Sequence, residues 1–90
     1  LKLRIQYEIF WEILGYCRGA KSFTHVINRC DLNSKIGQEH VDFLLGRGYL
    51  TKIQSEGKTL LQTTERASEF LVPFERMYLE LFENSPEFKL

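Results

Sequence analysis

The stretch DLNSKIGQEHVDFLLGRGYL, residues 31–50, decides the fold. Asp31-Leu32-Asn33 reads as a tight turn, and Asn33 has the short side-chain oxygen that caps the free N–H groups of a following helix. From Ser34 to Arg47 the residues Ile36, Val41, Leu44 and Leu45 fall on one helical stripe, with His40 beside them. The other side carries Lys35, Gln38, Glu39 and Asp42, a spacing of three, four and seven that lines polar side chains along one face. Gly48 follows as a stop, because glycine enters the left-handed conformation of a helix end at no steric cost. Gly37 inside the helix costs about 1 kcal/mol in propensity relative to alanine, a loss that close approach of another backbone would offset.

Upstream, Ile5, Ile9, Phe10, Ile13, Leu14 and Cys17 recur at three- and four-residue steps and predict a helix from about Leu3 to Arg18, ended by Gly19. Arg4, Glu8, Glu12 and Arg18 fall off that stripe, and Trp11 and Tyr16 flank it. A short second helix follows, opened by Ser22 or Thr24 and turning Val26, Ile27 and Cys30 inward. Downstream the period shifts towards two from Tyr49 to Gln54. A turn over residues 55–58 then leads into a second strand from Thr59 to Gln62. Two strands alone are marginal in water, so the hairpin must lean on the helices.

The last helix is expected over Thr64 to Glu83, with Phe70, Phe74, Met77 and Leu81 stepping by four, three and four like a coiled-coil seam. Pro73 removes one backbone bond and predicts a kink or break near Val72. Helix, helix, turn, helix and hairpin is the order of a winged helix-turn-helix. The expected class is mainly α with a small β-hairpin. Residues 1–62 form the winged helix-turn-helix, 63–83 a C-terminal dimerisation helix in the same compact unit, and 84–90 a frayed tail.

Composition narrows the classes of function. Ninety residues, 43% of them hydrophobic, make one domain with a real core and little room for a second. Formal net charge is zero, but residues 1–62 carry nine basic groups against six acidic ones, and residues 63–90 carry three against six. Cys17 and Cys30 lie on apolar helix faces, as reduced cysteines do. The two histidines, His25 and His40, add no metal-ligand spacing, so no metal or other cofactor is expected. There is no glycine-rich phosphate loop, no nucleophile with a partner and no evident small-molecule substrate, which argues against an enzyme. No apolar run reaches membrane-spanning length and no signal-peptide pattern is present, so a cytoplasmic, nucleoid-associated location is expected.

The stretches THVINRCDL (24–32), VDFLLGRGYL (41–50) and TERASEFL (64–71) resemble archaeal winged-helix proteins of the ArnR-like and small chromatin-associated type. The likeness runs roughly from Ile5 to Leu71. Departures are His40 in place of tyrosine, Gly37 in place of an apolar residue, Ala67 in place of glycine, and an early Pro73. The resemblance implies a fold that binds double-stranded DNA, with the last helix pairing two protomers as an antiparallel coiled coil.

On that reading Ser34, Lys35, Gln38 and Glu39 are the side chains placed to reach base edges in the major groove. Gln38 suits adenine, Lys35 suits guanine or a phosphate, and a carboxylate accepts only, as from cytosine. Arg29 and Lys21, with Lys52 and Lys58 on the hairpin, are candidate phosphate contacts. Phe70, Phe74, Met77, Tyr78 and Leu81 are the candidate dimerisation residues of a homodimer, although the same helix folded over its own domain is the competing arrangement. The function expected is sequence-reading or architectural DNA binding, with transcriptional regulation as its setting. The alternative is a winged-helix protein–protein interaction module without DNA binding, which the acidic Glu39 and Asp42 also fit.

Overall fold

The computed structural model describes residues 6–83. Helix α1 spans Gln6–Tyr16, α2 Phe23–Arg29 and α3 Ser34–Gly46. Strands β1 (Leu50–Ser55) and β2 (Lys58–Thr63) follow, then a 3₁₀ turn over Glu65–Ala67, helix α4 (Ser68–Tyr78) and a π-helical turn over Leu79–Glu83. The tail from residue 84, expected to fray, and the first turn of the expected N-terminal helix, with Ile5, lie outside the described residues.

Local chemistry sets these boundaries. Ser22, rather than Thr24, caps α2: its Oγ accepts from the His25 N–H at 3.3 Å. Asn33 caps α3 through Oδ1, which accepts from the Ile36 N–H at 2.8 Å. Both helices end in the same six-residue loop. Beyond α2 the Leu32 N–H reaches the Ile27 carbonyl at 2.9 Å, with Asp31 left-handed at φ 56°. Beyond α3 the Tyr49 N–H reaches the Leu44 carbonyl at 3.0 Å, with Gly48 at φ 79°. Glu56 and Gly57, both at positive φ, make the two-residue hairpin turn that joins β1 to β2.

The hairpin does lean on the helices. Leu50 and Leu61 are buried in the common core with Phe10, Ile13, Leu14, Cys17, Val26, Cys30, Val41, Leu44, Ala67 and Leu71. Its second strand also caps α1. The Thr63 hydroxyl donates to the Leu14 carbonyl at 2.6 Å, its N–H to the Cys17 carbonyl at 2.9 Å, and the Gln62 amide to the Arg18 carbonyl at 3.2 Å. Lys21 adds a short third strand position, exchanging two backbone bonds with Leu61.

Four expectations need correction. Ile36 is 37% exposed, and the buried row of α3 is Gly37, Val41 and Leu44. A β-carbon at position 37 would collide with Ile27 Cγ2, so the glycine answers a close approach by a side chain of α2 and not by backbone. Glu8, read as off the apolar stripe of α1, is only 6% exposed. Pro73 does not break its helix, since α4 runs through it to Tyr78. The carbonyl that lacks an N–H partner is that of Glu69, and both residues are on the exposed side, open to water. The irregularity comes later, at the π-helical turn.

Candidate nucleic-acid interface

Helix α3 presents Ser34, Lys35, Gln38, Glu39 and Asp42 to solvent while Gly37, Val41 and Leu44 hold its other side. The Asn33 cap and the Gly37–Ile27 contact fix where the helix starts and how closely α2 crosses it. The Gln38 Nε2 donates to Asp42 Oδ1 at 2.8 Å, so these two side chains form a pair one turn apart. Ile36, a residue that stripe-based reading turned inward, is exposed too, on the flank of the helix away from Gln38. It offers an apolar surface of the sort a thymine methyl packs against. The signal lay in Gly37: a buried glycine shifts the packed row one residue along and leaves its neighbour outside.

The expected phosphate contacts form separate groups. Lys52 and Lys58 are exposed on the hairpin. Lys21 and Arg29 converge instead on the Tyr16 ring, 4.8 Å and 5.8 Å from its centre. Arg29 also lines a cleft of about 430 Å³ with Trp11, Glu12, Tyr16, Arg18 and Glu75. At the far end of α3, Arg47 covers Phe43, which stacks on Phe10 at 5.3 Å and is still 45% exposed. His40 meets Phe10 edge-on at 5.4 Å.

Cys17 and Cys30 are free and buried. Burial, and after it the neighbouring Cys30, pushes the Cys17 thiol up from 9.0 to about 11, against a smaller downward pull from Lys21. Such a thiol stays protonated near neutrality and is a poor nucleophile. Among the described residues no group of histidine, cysteine and carboxylate side chains is placed to hold a metal. No helix among them is long and apolar enough to cross a membrane.

The five candidate dimerisation residues divide. Phe74 is buried and stacks on Trp11 at 5.7 Å, and Tyr78 stacks on the same indole at 5.6 Å. Phe70 is half-buried against Tyr49 and Phe74. Trp11 therefore covers the C-terminal helix of its own chain. Met77 and Leu81 stay open, at 46% and 54% exposure, with Val72 and Leu79 also exposed.

The sequence model of the winged helix-turn-helix family matches residues 3–81. The chain belongs to that family. The winged helix-turn-helix is a DNA-binding class of fold and not a family of enzymes. Sso10a-2, a DNA-binding protein from Sulfolobus solfataricus, aligns at a TM-score of 0.69 and 21% identity, over 97% of this chain and 99% of that one. The transcriptional regulator BldR from the same organism aligns at 0.62 and 20%, over 89% of this chain and 66% of that one. A MarR family protein from Bacillus stearothermophilus aligns at 0.70 and 13%, over 99% and 64%. At these identities the likeness is one of fold. No curated protein sequence matches significantly.

Proposed function

We propose that this winged helix-turn-helix chain binds double-stranded DNA as a homodimer, with the Lys35–Gln38 edge of α3 in the major groove. The observation that carries the reading is that this edge is solvent-exposed while the opposite side of the helix is sealed into the core. Ser34, Lys35, Gln38 and Glu39 then face base edges, while Lys52 and Lys58 of the hairpin, and Lys21 and Arg29 beside Tyr16, face phosphates. The exposed Met77 and Leu81, one helical turn apart, supply an apolar edge for a second copy, and a two-fold dimer asks for a two-fold symmetric site. The setting is transcriptional regulation or DNA architecture, in a nucleoid-associated protein of the archaeal type that residues 24–32 and 41–50 resemble.

An anisotropy titration against duplex DNA across salt tests this. Saturable binding that weakens with salt is expected, with Lys35→Ala lowering affinity for every sequence and Gln38→Ala flattening preference at a base pair. Unchanged binding in both variants removes α3 from the interface. The exposed Phe43, on a helix that also carries Glu39 and Asp42, favours a second reading as a protein-docking module, which predicts no retained duplex even at low salt.

A further inference from the structure

A carboxylate on a face that meets DNA repels the phosphates, so Asp42 needs a reason to be there. Its Oδ1 lies 2.8 Å from the Gln38 side-chain nitrogen. A carboxylate cannot donate, so the amide must turn its nitrogen to Asp42 and its Oε1 away. The amide has two N–H donors and one carbonyl acceptor, and Asp42 engages one donor. One donor and the acceptor remain.

Resting on the proposal that α3 enters the major groove, we infer that Asp42 is a positioning residue that sets Gln38 to accept adenine and refuse guanine. Adenine shows its N7 acceptor beside the N6 amino donor, the complement of what Gln38 has left. Guanine shows two acceptors, N7 and O6, and would need two donors from an amide that has already given one to Asp42. The carboxylate also holds the amide against the rotation that would present its NH₂ squarely to guanine. Its negative charge lowers affinity for every duplex and discriminates between bases in return, as specificity built on an unfavourable contact does. Both side chains are exposed on one helix face, so neither is required by the core.

The test is selection from a duplex library with a randomised centre, using the full chain and its Gln38→Ala, Asp42→Ala and Asp42→Asn variants, with affinities for the selected duplexes from anisotropy. Wild type should enrich adenine over guanine about tenfold at one position of each half-site, and Gln38→Ala should lose that preference. Asp42→Ala should bind unselected duplex more tightly and let the adenine-to-guanine ratio fall to about twofold. Asp42→Asn should also bind more tightly yet keep the ratio, because its amide oxygen still accepts from Gln38. A ratio unchanged in Asp42→Ala overturns the inference and leaves DNA binding standing, as does a wild-type preference for guanine at the Gln38-dependent position. Wild type that retains no duplex at low salt overturns the DNA reading and this inference with it.

Discussion

Helices α3 and α4 are both amphipathic, but they use their apolar residues differently. In α3 the inward row of Gly37, Val41 and Leu44 is buried in the chain's own core, and most of what is left outside is polar. In α4 only Leu71 and Phe74 are buried, and large apolar side chains at 72 and 77, with 79 and 81 in the π-helical turn that continues it, remain in water. A helix that keeps an inward apolar row sealed, with only Ile36 and Phe43 among its large apolar side chains left exposed, still offers a largely polar face to a ligand. One that carries more apolar surface than its domain can hide is suited to a second copy. On the proposed function, the two roles follow how completely each helix is satisfied within the chain.

That contrast is open to direct attack by substitution. Leu44→Ala in α3 should cost the most, about 2–5 kcal/mol in a urea titration, because it empties a fully enclosed site. A loss much under that range would mean the α3 row is not sealed. Gly37→Ala should cost about 1–2 kcal/mol: the clash with the stiff, β-branched Ile27 outweighs the roughly 1 kcal/mol gained in helix propensity. An alanine as stable as wild type there would show that α2 can slide off α3. A pH series probes the same core at Cys17. Its folded pKa lies above 9.0, so its stabilisation is complete below pH 9 and is lost as pH rises towards 11. Denaturation midpoints flat from pH 8 to beyond about 11 would place the thiol in contact with water.

The smallest effect on folding belongs to α4. Met77→Ala should cost less than about 1 kcal/mol in dilute protein. Met77→Glu combined with Leu81→Glu should leave the fold intact by circular dichroism yet shift sedimentation towards the monomer. A double variant that sediments as wild type would remove these residues from any dimer contact.

How much of this was readable in advance depended on the range of the interaction. Asn33, Gly48 and the Glu56-Gly57 turn act on backbone within a few residues, so their consequences are written in short stretches of chain. The polar face of α3 was legible for the same reason, since spacing alone puts Lys35, Gln38 and Asp42 together. Ile36 was misplaced because burial depends on where α2 crosses, and it crosses at the glycine. Glu8 was misplaced because a stripe counts only apolar residues and puts a charged side chain outside by default. The grouping of Lys21 and Arg29 over Tyr16 joins three separate segments, and no periodicity announces it.

Capping oxygens, left-handed stops, β-branched alternation and apolar stripes carry the order of elements, and so the winged helix-turn-helix, in residue chemistry alone. Those signals work through bonds of a few residues' reach and survive without knowledge of the rest. Which member of each stripe is buried, that α4 passes unbroken through Pro73, and that Trp11 is covered by Phe74 and Tyr78 were settled only when the helices packed. Packing is a matter of volume and crossing distance between remote segments, and a linear pattern of hydrophobicity contains neither.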